Sequence, residues 1–197
     1  MSGDPATLAH YEASVPYYVS AFDRSHSRHL DAFLDGLATG AHILELGCGT
    51  GRDAARMIAR GFTVDPTDGT RAMVERANGQ RGVGARVMRF DELDAQEEYD
   101  AVWAHACLFH VPRAQLPFVL AAIHRALRSG GQHYASFKLG DDEFRDDRGR
   151  LNSRVSGDEM AGLYRETGFA VRSIIPWQGE GADGVLREWI AVTAHKD

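Results

Sequence analysis

Cysteine is nearly absent from this 197-residue chain: there are two, Cys48 and Cys107. That is too few for a disulfide framework, and their spacing is not that of metal ligands, so no metal is expected and the expected setting is a reducing cytoplasm. An excess of basic charge is also lacking, with Lys+Arg 22 against Asp+Glu 28, a net charge of -6 and a pI near 5.8. A polyanion binder normally shows a basic patch and an alkaline pI, which argues against nucleic acid as a partner. No apolar run approaches the ~18 residues of a membrane helix, so a membrane is not an expected partner either. The amino-terminal "MSGDPATLAHYEASVPYYVSAF" has no basic start and no apolar centre, and Pro5, Glu12 and Pro16 interrupt it, unlike a signal peptide. Repeats and low-complexity tracts are missing too. What remains is the composition of an ordinary soluble globular protein, 44% hydrophobic and 25% charged. At ~150 residues per domain, the length suits one domain.

Along the chain, apolar periodicity alternates between strand and helix. "HILEL" (42–46) reads as a short buried strand, and "GRDAARMIARG" (51–61) carries Ala54, Ala55, Ile58 and Ala59 at helical spacing before Gly61. "FTVDPT" (62–67) and "TRAMVERAN" (70–78) repeat the pair. "ARVMRF" (85–90) is a third strand, followed by an acidic loop, and "YDAVWAHA" (99–106) a fourth. "RAQLPFVLAAIHRAL" (113–127) places Leu116, Val119, Leu120, Ile123 and Leu127 on one helical face, preceded by Pro112 and ended by Gly130 and Gly131. A fifth strand, "QHYASFKL" (132–139), leads into a charged, glycine-punctuated stretch (140–152). A helix (156–168), with Ser156 and Asp158 as cap candidates, then precedes strands at 169–177 and 186–194. Strands alternating with helices imply βαβ units and a parallel sheet, because a parallel crossover needs a returning helix. Only eight residues, 178–185, separate the last two strands. That is too short for such a crossover, so they should pair antiparallel at the sheet edge. The expectation is a seven-stranded, mostly parallel α/β sheet with helices on both faces and an antiparallel last strand.

The turn after the first strand, "LGCGTGR", has glycine at 47, 49 and 51. In an open α/β sheet ligands sit beyond the carboxyl ends of the strands at the switch in strand order. Missing Cβ atoms would let backbone touch a ligand there, and free N–H groups opening the next helix favour a negative group. A dinucleotide site favours G-x-G-x-x-G, but here the third glycine arrives one residue early. Asp68, seventeen residues past Gly51, stands where a carboxylate can accept both hydroxyls of a ribose. A nucleoside cofactor without a pyrophosphate fits this spacing best.

With "ILELGCGTGRDA", "GFTVDPTDGTRAMVERA" and "FDELDAQEEYDAVWA" in place, the sequence resembles the class I S-adenosylmethionine-dependent methyltransferases. It is most similar to the small tellurite-resistance-type or generic members. The resemblance runs from about residue 37 to residue 131, and implies a Rossmann-like fold, S-adenosyl-L-methionine as cofactor, and a single domain over 1–197. In that family the glycine loop wraps the methionine part of the cofactor, which maps to Glu45, Gly47, Gly49 and Gly51. The acidic residue after strand two binds the ribose, mapping to Asp68, with Asp65 the competing candidate. The loop after strand three touches the adenine, mapping to Asp91, Glu92 or Leu93. Arg52 either pairs with the cofactor carboxylate or faces water.

Methyl transfer from a sulfonium is an in-line displacement for which the protein mainly supplies alignment and a dry pocket. A general base is needed only where the acceptor must lose a proton. His105 and His110, in "AHACLFHVPR" after the fourth strand, are the candidates near the reacting centre. The family's "LxHVP" segment gives His110 a structural alternative, fixing the loop ahead of Pro112. The amino-terminal 1–36, rich in Tyr11, Tyr17 and Tyr18, is expected as a helical lid against substrate. The 140–155 loop brings Arg148 and Arg150 beside Lys138, either as a solvated loop or to recognise an anionic acceptor. The expected function is transfer of a methyl group to a small-molecule acceptor. The alternative is a protein of the same fold using the bound sulfonium for other chemistry, and a nicotinamide oxidoreductase comes third.

Overall fold

The computed structural model describes residues 3–22 and 26–197. Its helices are α1 (Pro5–Ala13), α2 (Val15–Phe22), α3 (Leu30–Asp35), α4 (Arg52–Ala59), α5 (Arg71–Arg81), α6 (Leu116–Ala126) and α7 (Gly157–Glu166). Its strands are β1 (His42–Leu46), β2 (Thr63–Asp68), β3 (Arg86–Val87), β4 (Tyr99–Ala104), β5 (Leu127–Lys138), β6 (Glu143–Arg145), β7 (Leu151–Ser153), β8 (Phe169–Glu180) and β9 (Leu186–Lys196). Among the described residues no helix is long and apolar enough to cross a membrane.

Seven strands form one sheet in the order β3-β2-β1-β4-β5-β9-β8. The first five run parallel, and β9 lies antiparallel between β5 and β8. The expected reversed hairpin is therefore present, its last strand inserted beside β5. The sheet interior explains the unbroken apolar runs: a parallel strand covered on both faces has no solvent side to alternate toward. Ile43, Leu44 and Leu46 of β1 and Val102, Trp103 and Ala104 of β4 are all at most 1% exposed. On one face Leu44, Leu46 and Val102 pack under Leu116, Leu120 and Ile123 of α6, and Tyr164 of α7. On the other, Ile43, Trp103 and Tyr134 pack against Leu30, Phe33 and Leu34 of α3 and Met57 of α4. Helices thus cover both faces.

Four details depart from the sequence expectation. The Gly130–Gly131 pair lies inside β5, not after a helix. The β4–β5 register shifts between Tyr99, opposite Leu127, and Ala101, opposite Gln132. Gly130 takes a φ of +78° in this bulge and a Cβ on Gly131 would sit 2.8 Å from the Arg128 carbonyl oxygen, so the glycines permit the kink. Strand 85–90 shrinks to Arg86–Val87, because Phe90–Glu92 closes a 3-10 turn in which the Glu92 carboxylate accepts from the Arg89 backbone N–H at 2.7 Å. The 140–155 segment contains the antiparallel β6–β7 hairpin, whose turn is tied by Asp146 accepting from the backbone N–H of Arg148 (3.1 Å) and Arg150 (3.0 Å). Finally, the segment 1–36 divides: α3 belongs to the core, while α1 and α2 lie outside it. Residues 1, 2 and 23–25 of that segment lie outside the described residues.

Candidate active site

The chain leaves β1 on one side of the sheet to build β2 and β3, then crosses to β4 and β5 on the other. Between β1 and β4, at their carboxyl ends, this topology leaves a crevice. A cavity of about 240 Å³ opens there, lined from the sheet by Glu45, Asp68 and Lys138, from the start of α4 by Arg52, and from the loops and turns by Gly47, Gly49, Met88, Phe90, His105 and Phe109.

The three glycines do three different things. All have positive φ: +70° at Gly47, +54° at Gly49 and +75° at Gly51. A Cβ on Gly47 would lie 2.6 Å from Cys107 Cβ, and one on Gly51 would lie 2.9 Å from Ala77 Cβ and 3.1 Å from Val83. Those two are closed by protein, Gly47 against the loop after β4 and Gly51 against α5. Only at Gly49 would a Cβ meet no described atom within 4 Å, and it lines the cavity. Gly47 and Gly49 line the cavity, Gly51 is absent from the lining, and of the three only Gly49 leaves open space where a Cβ would stand.

Asp68 ends β2 and ties this loop to the next. Its carboxylate accepts from the Gly49 N–H (3.0 Å), the Thr70 N–H (3.0 Å) and the Thr70 hydroxyl (2.8 Å). Burial raises its pKa against those bonds. Asp65 sits earlier in the strand and is engaged elsewhere, accepting from the Tyr99 hydroxyl at 2.9 Å and lying 3.4 Å from His42. Glu45, one strand over, is 3% exposed, and its Oε2 has no hydrogen-bond partner among the described residues. Burial, then the neighbouring Asp53 charge, pushes its pKa well above the usual carboxylate range. Asp53 itself accepts from the Ser27 N–H (2.8 Å) and the Trp103 indole (3.1 Å), and Arg52 donates to the Ser27 hydroxyl at 3.0 Å. Arg52 lines the cavity from the first turn of α4.

Both histidines line the cavity. His105 stacks parallel to Trp103 and Tyr134, with Nδ1 3.3 Å from the Tyr134 hydroxyl and 3.3 Å from the Ser136 hydroxyl. Burial lowers its pKa to about 4. His110 is held at both ring nitrogens: Nδ1 lies 2.5 Å from the Leu151 carbonyl and Nε2 2.8 Å from the Tyr11 hydroxyl. A carbonyl only accepts, so Nδ1 carries the proton and Nε2 accepts from tyrosine. Burial lowers the His110 pKa to about 3. His110 thus joins the post-β4 loop to α1 and β7.

Tyr11 and Tyr18 reach the cavity from α1 and α2, Tyr18 accepting from Arg150 at 2.7 Å. Tyr17 and Arg148 are not in the lining: they meet each other at 2.9 Å, and Tyr17 donates to the Ala182 carbonyl at 2.5 Å. Asp91, Glu92 and Leu93 are also outside this lining. The loop after β3 presents Met88, Arg89 and Phe90 to it instead. Sequence reasoning missed a whole wall, Trp177, Glu180, Asp183, Arg187 and Trp189 of the β8–β9 hairpin. Its tryptophans were read only as strand residues, and nothing local marks which face they take. Among the described residues no group of three or more His, Cys, Asp or Glu could hold a metal ion.

Residues 43–131 match the family model described as a methyltransferase domain. No curated protein matches the sequence. Among solved structures, 1,6-didemethyltoxoflavin-N1-methyltransferase from Burkholderia thailandensis, bound to 1,6-didemethyltoxoflavin and S-adenosylhomocysteine, is 23% identical with a TM-score of 0.69, covering 94% of this chain and 79% of its own. A TehB-like methyltransferase from Corynebacterium glutamicum is 20% identical with a TM-score of 0.73, covering 96% and 99%. The [4+2]-cyclase SpnF is 17% identical with a TM-score of 0.74, covering 100% and 99%. Residues 43–131 are thus similar to a methyltransferase domain, and the chain shares the fold of these class I methyltransferase structures, as the resemblance implied.

Proposed function

We propose that the chain is an S-adenosylmethionine-dependent methyltransferase acting on a small-molecule acceptor. The observation that carries this reading is Glu45: it lines the cavity, and one of its carboxylate oxygens is buried without a partner among the described residues, which calls for a cationic donor, because an unsatisfied buried polar group is costly. The ammonium of a methionine moiety is such a donor. The rest of the lining suits the same molecule, since Gly49 leaves open space where a Cβ would stand and a carboxylate has about four acceptor sites, of which three are used at Asp68, leaving one on Oδ2 for a ribose hydroxyl. Phe90 and Met88 offer the apolar surface an adenine needs, in the role expected of Asp91, Glu92 or Leu93. When bound, the cofactor supplies a methyl group already activated by positively charged sulfur. The chain's own part is to align the acceptor and exclude water, with α1 and α2 as the lid.

His105 does not act as a base near neutrality in this reading. With its pKa lowered to about 4 by burial, the neutral imidazole is a weak proton acceptor, and its own titration lies below the range from pH 6 to 8. With S-adenosylmethionine saturating, so that cofactor affinity does not enter, the kcat profile is expected to show no inflection near the ordinary histidine value of ~6.5, and His105→Gln should retain activity within a few-fold. A loss of ~100-fold or more in that variant, with S-adenosylhomocysteine affinity unchanged, would make His105 the base.

The experiment that tests the function is mass analysis of a reaction with S-adenosylmethionine and an acceptor panel. The expected product is one CH2 heavier than its acceptor, with S-adenosylhomocysteine formed in equal amount. Conversion of an acceptor without that gain would favour the non-transfer chemistry exemplified by a cyclase on the same fold.

A further inference from the structure

Three cations line the cavity on its β5 side: Lys138, Arg150 and Arg187. Two are neutralised within their own hairpins. Arg187 makes a bidentate pair with Asp183 at 2.7 and 2.6 Å, and Arg150 binds Asp146 at 2.9 and 2.7 Å. Lys138 is different. It ends β5, is 8% exposed, and among the described residues its ammonium meets one hydrogen-bond acceptor, the amide oxygen of Asn152, and no carboxylate. Asn152, 1% exposed, is fixed in turn by its own NH2 on the Arg150 carbonyl at 3.0 Å. The ammonium also stands 4.4 Å from the Phe109 ring centre and 5.9 Å from that of Trp189.

An ammonium has three donors, and a buried charge is stable only when it is paired and hydrogen-bonded. Ring faces and one amide leave Lys138 short of both conditions. Burial accordingly lowers its pKa to about 8, so the proton is held weakly until an anion arrives. Trp189 stacks on Trp177 at 5.5 Å and meets Phe109 edge-to-face at 5.5 Å, so the surface beside the ammonium is aromatic.

Resting on the methyltransferase reading, we propose that the acceptor is an aromatic carboxylate, its anionic oxygens on Lys138 Nζ and its ring against Phe109 and Trp189. Glu45 and Asp68 set the opposite preference on the β1–β2 side, where a cation and a neutral hydroxyl are accommodated. The two ligands are thereby sorted by charge across one cavity.

The test compares benzoate and 2-naphthoate with the corresponding neutral carboxamides by calorimetry, with and without saturating S-adenosylhomocysteine. A charge-assisted hydrogen bond of this kind corresponds to about tenfold or more in affinity. Wild type should therefore prefer each carboxylate by at least about tenfold. Lys138→Met should abolish the preference, Lys138→Arg should keep part of it, and S-adenosylhomocysteine affinity should stay within about twofold in both. Equal binding of acid and amide by wild type overturns the proposal even if a variant fails to fold, as does a preference retained in Lys138→Met. Failure of wild type to bind S-adenosylhomocysteine would sink the parent reading, while the acid-to-amide ratio measured without it still decides the anion site.

Discussion

Asp68→Ala is expected to lower the affinity for S-adenosylhomocysteine by about 100-fold. Two losses add. The ribose would lose a carboxylate acceptor, on the scale of about 1.5–3 kcal/mol for a bond to a charged group. The glycine loop would also lose its tether, because the Asp68 carboxylate accepts from the N–H of Gly49 and from both the N–H and hydroxyl of Thr70. The Gly49 N–H then has lost its partner, and the turn is left to the bonds of the Cys48 N–H to the Thr67 carbonyl (2.8 Å) and the Gly51 N–H to the Cys48 carbonyl (2.9 Å). Asp65→Asn is the internal control: that side chain faces Tyr99 and His42, so its loss should leave binding within about twofold. Calorimetry showing Asp68→Ala within about twofold of wild type would remove Asp68 from the site.

Deleting residues 1–22 is expected to cut product formation by at least about 100-fold while the α/β core stays folded. The contacts of α1 and α2 span both sides of the cavity. Glu12 accepts from the Ala72 N–H at the start of α5 at 3.2 Å, and Tyr11 donates to His110 after β4. The β6–β7 hairpin holds them through Arg145 on Asp4 at 2.6 Å, the Leu151 N–H on the Thr7 hydroxyl at 2.8 Å, and Arg150 on Tyr18. Removal opens the cavity to water and releases the acceptor side, the two things on which an alignment-driven transfer depends. The cut must stop before Ser27 and Leu30, since Ser27 donates to Asp53 and Leu30 is 0% exposed in the core. Circular dichroism and thermal melting check the fold, and full turnover in the truncated chain would contradict the lid.

The contrast between α3 and β1 shows what sequence could and could not reveal. His42–Leu46 was legible to the residue because a doubly covered strand needs a continuous apolar run ended by glycine. Helix α3 has six residues and no side-chain cap bond at His29, too short for its periodicity to separate it from the preceding lid. The place of Asp68 in the cavity lining beside Gly49 was readable from its distance to the glycines. Asp91 and Glu92 occupied the right stretch of sequence, yet they are engaged with Arg89 at 3.5 and 2.8 Å in a local turn, which composition does not distinguish from a ligand contact. The charges of 140–155 looked solvated in isolation. Some pair inside the hairpin, as Asp142 with Arg154 and Asp146 with Arg150, but Arg145 finds Asp4 across 141 positions of chain, a partnership no local pattern carries. The tryptophans of β8 and β9 reached the cavity only because β9 inserts beside β5, a topological fact beyond local periodicity.

The central claim is that a buried acidic pocket at the ends of β1 and β2 receives the amino-acid and nucleoside parts of S-adenosylmethionine. Calorimetric titration with S-adenosylhomocysteine, in two buffers of different ionisation enthalpy and with NAD in parallel, tests it most directly. Burial keeps Glu45 protonated above the usual carboxylate range. An ammonium placed beside it favours the charged form, so binding should release a proton and affinity should rise with pH through the Glu45 titration. The account predicts one-site binding of S-adenosylhomocysteine with a buffer-dependent heat that disappears in Glu45→Gln, and no heat with NAD. No binding of S-adenosylhomocysteine by the wild-type protein, or equal binding of NAD, would contradict it.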